Sequence, residues 1–322
     1  MHQRLIRSQL GIYTDPRFAA HETGPMHPER PARIDAALEG ARRAGLNDRI
    51  LGHGFDHPET DRIIAKVHSS DYERELEAAV ERGARYFHSL DNPISRGTPA
   101  AARAAVSAAL AAADRIWIEH SLERAFLVAR PPGHHAERSQ AMGFCFFNTI
   151  ACAAEYLLEQ PAIDRVFVVD WDVHHGNGTQ HLFEDRADVF YASIHRFPFY
   201  PGTGSADEIG TGAGEGATLN IPMEGGAGDA DYLRLFEQRI VPAIRDHAPQ
   251  ALLISSGFDA HRSDPLGGMR VHEETFAEMT RRLTEVADDL CGGRILSLLE
   301  GGYDLEGLAR CTAAHLTALG EE

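Results

Sequence analysis

Lysine is almost absent. Lys66 is the only one in 322 residues, so arginine carries nearly all the basic charge. Basic charge as a whole is in deficit, with 31 Lys and Arg against 48 Asp and Glu and a net charge of −17. That balance argues against a nucleic-acid-binding surface and is compatible with cationic partners. Cysteine is also scarce: Cys145, Cys152, Cys291 and Cys311 form no C-x-x-C pair and lie in apolar surroundings. This argues against a zinc ribbon or a disulfide framework, and buried free thiols are expected. No segment approaches the ~18 apolar residues of a membrane span, and the N-terminus lacks the apolar core of a signal peptide. A cytoplasmic chain without membrane contact is expected. Linkers, repeats and low-complexity tracts are missing as well, which predicts one domain over residues 1–322, long enough to bury a sizeable core.

What is present centres on one stretch, residues 165–180 (RVFVVDWDVHHGNGTQ). Val166 to Val169 are β-branched or aromatic and apolar throughout, as a strand covered on both faces should be. Asp170, Asp172 and His174 follow at a spacing of two, which in extended chain places them on one side. Gly176 and Gly178 then allow a turn and close backbone approach. Unpaired carboxylates at a buried strand end are costly, so this clustering points to a metal site rather than a solvated loop.

The rest of the chain alternates. Strands are expected at Ile6–Tyr13, Ala125–Ala129, Val166–Val169, Val189–Ile194, Ala251–Ser255 and Arg294–Leu299. Helices are expected at Pro31–Gly45, Ser69–Arg82 with Ser70 as cap, Pro99–His120 with Thr98 as cap, and Asn148–Glu159. Further helices are expected at Ala230–Ala248, Glu273–Leu290 and Leu305–Leu319. Thr14–Glu29, Ala84–Gly97 and the Gly-rich Pro201–Gly216 read as loops, and a loop as long as the last is seldom without a use. Alternation of this kind predicts an α/β fold, a parallel sheet with right-handed crossovers and helices on both faces.

Four of the strands run into unusual residues: Pro131-Pro-Gly-His-His-Ala136, the central stretch, Gly257-Phe-Asp-Ala260 and Glu300-Gly-Gly-Tyr-Asp304. In an open parallel sheet the carboxyl ends lie on one rim, where ligands bind. Topology therefore gathers His134, His135, Asp170, Asp172, His174, Asp259 and Tyr303. His-His or Gly-Gly-Tyr alone carries little weight, and Asp259 alone reads as a turn residue; the convergence carries the argument. Asp172, His174 and Asp259 supply three ligands for a catalytic divalent metal, zinc or ferrous iron, with a position left for water. Hydrolysis is the natural outcome. His134 and His135 suit acid and base roles, with Asp170 and Asn177 orienting the rings, and Tyr303 suits an oxyanion donor. Histidines outside these motifs, His2, His53, His57, His88, His120, His247 and His315, are read as solvated or packing residues.

With these motifs the chain resembles the histone deacetylase family, in particular its class II branch and bacterial deacetylase-like relatives. The resemblance rests on RPPGHHAE (130–137), GFCFFN (143–148), DWDVHHGNGTQH (170–181), GFDA (257–260), DPLGG (264–268) and LEGGY (299–303), in order and at matching spacing. It implies the arginase-deacetylase α/β fold, zinc on Asp172, His174 and Asp259, and deacylation of an acylated lysine or small acylated amine. It implies further that His135 is the main acid/base, His134 its electrostatic partner and Tyr303 the oxyanion donor. A structural potassium ion would use the Asp170 and Ser193 side chains with carbonyls of Asp172, His174 and Ile194. Arg33, in His27-Pro-Glu-Arg-Pro-Ala-Arg33, would line an internal passage behind the metal. Gly143, Phe144, Tyr200 and Leu266 would form the substrate channel, with Asp91 at its rim.

Tyr200 stands where many relatives have phenylalanine, and the Phe197–Pro201 loop is short. Leu266 matches the leucine usual in lysine deacetylases, whereas acetylpolyamine-preferring relatives carry glutamate there. An acetylpolyamine amidohydrolase is the alternative within this class. A module of the same fold that binds an acylated ligand without turnover is the alternative outside it. Homo-oligomerisation is left open by the sequence.

Overall fold

The computed structural model describes residues 9–321. Its frame is an eight-stranded sheet in the order β2-β1-β3-β8-β7-β4-β5-β6. The strands are β1 (Leu10–Thr14), β2 (Ile50–Gly52), β3 (Arg124–Leu127), β4 (Val166–Asp170), β5 (Val189–Arg196), β6 (Thr218–Met223), β7 (Ala251–Ser256) and β8 (Ile295–Leu299). Neighbouring strands pair in parallel throughout the sheet. Of the strand expected at Ile6–Tyr13, Ile6, Arg7 and Ser8 lie outside the described residues.

Period-two alternation in β4 explains why helices cover both faces. Val166 and Val168 join one apolar core, and Phe167 and Val169 join the other. On the first face lie the helices Thr98–Ala113 and Thr149–Leu157. Alanine at most buried positions of the first of these gives high helix propensity and a thin helix that approaches its neighbours closely. On the second face lie Ala32–Arg43, Glu273–Cys291 and Leu305–Leu319, which pack on one another. Gly40 shows how closely: a Cβ there would fall 2.6 Å from the Ala309 carbonyl oxygen. All four cysteines are free and buried, as expected.

Several expected boundaries shift for local reasons. The helix expected over Pro99–His120 begins at Thr98 and is α-helical to Ala113, after which Asp114–Ile118 takes a wider turn. Thr98 is therefore inside the helix; its hydroxyl accepts from the Ser95 amide and pairs with His21 Nδ1, both at 2.8 Å. Ser70 does not cap the next-earlier helix, which starts at Tyr72 after Asp71. Asn148 does cap its helix, accepting from the Ala151 amide at 3.1 Å. The expected Ala230–Ala248 helix has a wider turn at Phe236–Ile240, one residue short of Pro242, which lacks a backbone donor for the ladder. The loop expected over Thr14–Glu29 holds a short 3-10 turn, Pro16–Ala20, and the helices Thr60–Val67 and Asn177–Phe183 were not expected. Among the described residues no helix is long and apolar enough to cross a membrane.

Candidate active site at the carboxyl rim

The strands β3, β8, β7 and β4 are consecutive neighbours at the middle of the sheet. Each leads into one of the four polar motifs. The rim between them is where an open parallel sheet leaves a crevice, and the fold thus brings residues 134, 172, 259 and 303 together.

Asp172, His174 and Asp259 each present one ligand atom, all within 4.8 Å of one another. His174 Nδ1 lies 3.1 Å from both Asp172 Oδ1 and Asp259 Oδ2. Backbone amides hold the carboxylates: Val173 N–H donates to Asp259 Oδ1 and Gly301 N–H to Asp172 Oδ2, both at 2.8 Å. Glycine is required around them. A Cβ at Gly257 would fall 2.1 Å from Asp172 Oδ2, and one at Gly301 2.3 Å from Asp259 Oδ2. Burial and then the neighbouring Asp172 charge push Asp259 up to about 7. Asp172 is held low because His134 and His174 outweigh its burial. Two buried carboxylates and an imidazole nitrogen aimed at one point suit a divalent cation in chemistry and in space, and the three residues fit zinc or ferrous iron.

The route to that convergence differs from the spacing argument. The strand ends at Asp170, and the chain then bends: the Asp172 amide donates to Asp170 Oδ1 at 3.1 Å and the His174 amide to Asp172 Oδ1 at 2.9 Å. Asp170 is thereby turned away from the ligand cluster. Its Oδ2 meets His134 Nδ1 at 3.0 Å and accepts from the Tyr191 hydroxyl at 3.0 Å.

The two histidine rings lie 4.0 Å apart, tilted at 45°, and have opposite electrostatics. Burial opposes charge on His134, but Asp170 and Asp172 outweigh it and push the ring up to about 10. His135 is driven well below the usual histidine range by burial and then by its charged neighbour. One ring holds its proton and the other is free to accept one. Asn177 Oδ1 lies 2.7 Å from His135 Nδ1, a contact able to orient the ring.

His135 opens onto a cavity of about 130 Å³ lined also by Asp91, Gly143, Phe144, His174, Tyr200, Leu266 and Tyr303. Every residue expected to form the channel is there. A Cβ at Gly143 would fall 2.2 Å from His135 Cδ2. Phe144 takes a φ of 69°, a conformation costing a non-glycine residue roughly 1–2 kcal/mol, and its amide is held by Asn92 Oδ1 at 2.9 Å. The Tyr303 ring meets Phe144 edge-on at 5.9 Å. Burial, and then Asp259, raise the Tyr303 hydroxyl well above its usual range, so it remains a donor. Behind it, buried Arg33 lies 5.0 Å from the ring centroid, donates to Gly302 O at 2.7 Å and to Glu300 O, and pairs with Glu29 at 3.2 Å. Asp170 and Ser193, proposed potassium ligands, sit opposite each other in the β4–β5 register.

Four contributors were not expected. Phe199 stacks on His174 at 5.3 Å with Arg196 4.0 Å from its ring, so the short 197–201 loop presents two aromatic faces, Phe199 and Tyr200. Tyr191 holds Asp170. Glu300 Oε2 accepts from the Gly133 and His134 amides at 2.7 and 3.1 Å. Tyr191 lies two residues from Ser193 on the same strand face, and Glu300 directly follows β8, so period and position were available as signals. Of the histidines set aside, His315 packs buried between Thr280 and Ser297, and His57 pairs with Asp114 at 2.9 Å.

Residues 27–319 match the model of the histone deacetylase domain. A probable deacetylase of Archaeoglobus fulgidus is 37% identical over 300 residues, 92% of this chain and 82% of its own length. The chloroplastic histone deacetylase 10 of Oryza sativa subsp. japonica is 38% identical, over 92% of this chain and 70% of its own. The crystal structure of the HDA15 HD domain superposes with a TM-score of 0.89 at 36% identity, covering 98% of this chain and 89% of that one. The sheet and its flanking helices are thus the arginase-deacetylase fold, and the chain belongs to the histone deacetylase family.

Proposed function

We propose that this chain is a metal-dependent amide hydrolase that removes acetyl or a related acyl group from lysine side chains. One observation carries the reading: the ligand cluster, the unlike histidine pair and the tyrosine donor converge on a single cavity with apolar walls. Such a cavity suits an uncharged amide on a methylene stem. A binding module would need neither the histidine pair nor the tyrosine.

Asp172, His174 and Asp259 would hold zinc or ferrous iron, which when bound supplies Lewis acidity at the scissile carbonyl and makes water easier to deprotonate. His135 takes the proton of the attacking water on the ring nitrogen that Asn177 leaves free. It returns that proton to the amine nitrogen as the C–N bond breaks. His134 keeps its proton and offsets negative charge developing at the carbonyl oxygen, to which the Tyr303 hydroxyl donates. Phe144, Tyr200 and Leu266 exclude water from the substrate stem, and Asp91 is exposed at the mouth to meet the substrate backbone. We also propose potassium on Asp170, Ser193 and the carbonyls of Asp172, His174 and Ile194, a reading supported by the β4–β5 register.

The test is turnover of an acetyl-lysine peptide before and after chelation, with zinc or ferrous iron added back. Loss and recovery are expected. Tight binding of the peptide without turnover under any metal would favour the binding module instead.

A further inference from the structure

The catalytic reading leaves one carboxylate beside the channel without a role. Asp264 is half-buried, and it accepts from four backbone amides on two separate segments. Oδ1 takes the Leu266 and Gly267 amides at 2.9 and 3.2 Å; Oδ2 takes the Tyr303 and Asp304 amides at 2.7 and 3.4 Å. One side chain thus joins the turn that presents the apolar wall residue to the residue that presents the oxyanion donor.

Each segment has further anchors, but Asp264 is the side chain that bonds both. Tyr303 follows two glycines, and Gly302 has a φ of 117°, so the covalent backbone leaves the tyrosine's direction open. Arg33 holds the Gly302 carbonyl, and Asp264 holds the Tyr303 amide itself. The wall turn lies against the ligand loop: a Cβ on Gly267 would fall 1.8 Å from the Asp259 carbonyl oxygen. Arg196 secures it from the opposite wall, donating to Gly267 O at 3.2 Å.

We propose that Asp264 is a positioning residue whose carboxylate ties the Leu266 wall to the Tyr303 backbone, so that substrate stem and oxyanion donor share one rigid frame. The inference rests on the deacylase reading. Its consequence is kinetic. Weakening the tie leaves the channel able to bind substrate but misaligns the hydroxyl in the transition state, so kcat falls more than KM rises.

Asp264→Asn tests this, because an amide can accept on only one of the two sides and presents N–H groups to backbone donors on the other. Folded, fully metal-loaded protein is expected, with kcat lower by about 10- to 100-fold and KM for an acetyl-lysine peptide within about 3-fold. The decisive measurement is the same substitution in a Tyr303→Phe background. If Asp264 acts through the hydroxyl, it costs less than about 3-fold in kcat there; a general structural role would cost the same factor in both backgrounds. Asp264→Glu, which keeps the charge but displaces it by a methylene, is expected to show the same non-additivity and serves if the asparagine variant does not fold. Equal losses in both backgrounds, parental kcat in both variants, or failure of both to fold would overturn the assignment. A parent enzyme without turnover on any acylated amine would instead overturn the deacylase reading, and this inference with it.

Discussion

Replacing Tyr303 with phenylalanine removes one oxygen from a ring whose surroundings are otherwise kept. The residue is 8% exposed, and its ring is held edge-on by Phe144 and from behind by Arg33, contacts that phenylalanine retains. The backbone anchor from Asp264 does not involve the side chain, and the proposed metal ligands, Asp172, His174 and Asp259, are themselves left in place. Folding and metal content should therefore be unchanged. On the proposed mechanism, what is lost is a donor that burial keeps protonated and that meets charge only as it develops on the carbonyl oxygen. Loss of such a donor from a water-poor site costs ~2.7–4 kcal/mol, a fall of about 10²–10³ in kcat. KM should change little, because the neutral amide of the ground state demands less of the donor. Residual turnover would come from charged His134 and the metal. Saturation kinetics on an acetyl-lysine peptide, with elemental analysis of the same sample, checks this. A metal-loaded variant with kcat within about 3-fold of the parent would make Tyr303 a packing residue and refute the oxyanion assignment.

Asp259→Ala should lose metal and activity together, since the two remaining ligands come from one short segment; a stoichiometrically loaded, active variant would contradict the ligand set. Asn177→Ala, which frees the His135 ring, should lower kcat about 10- to 100-fold with metal retained, read by the same assay. Acetyl-lysine peptides should exceed N-acetylputrescine and N8-acetylspermidine in kcat/KM by roughly one to two orders of magnitude, because Leu266 offers the channel an apolar wall where a carboxylate would attract a distant ammonium. Leu266→Glu should narrow that gap, and a parent that prefers polyamines would sink the lysine reading. Acid should destabilise the fold through histidines buried in neutral form. Burial holds His21 and His315 at about 3 and His68 at about 4, below the ~6.5 of an unfolded chain. The unfolded chain therefore gains these protons first as pH falls. Stability is full above about pH 6.5 and declines below it, by roughly 2 kcal/mol per ring at pH 5. Urea midpoints that stay constant from pH 7 to pH 5 would count against this.

The central strands were legible because burial on both faces forces an unbroken apolar run, as in β4 and β7. The edge strands β2 and β6 were not. β2 is three residues long and partly exposed, and β6 carries Asn220 and Pro222, residues that suit a sheet edge and dilute the strand signal. The ligand and histidine motifs were legible for a related reason: charge placed directly after a buried strand has no inexpensive structural explanation, so its presence points to chemistry. The geometry between those residues was another matter. A spacing of two correctly grouped Asp172 with His174 but misplaced Asp170, because the chain leaves extended conformation once the Asp172 amide turns back onto the Asp170 carboxylate. Asp264 marks the limit of motif reading. It stood in a motif, yet its partners are backbone amides, including those of Tyr303 and Asp304, and a backbone amide is the same at every non-proline residue. Nothing in the identity of residues 303 and 304 encodes that contact; only the fold, by setting the ends of β7 and β8 side by side, creates it.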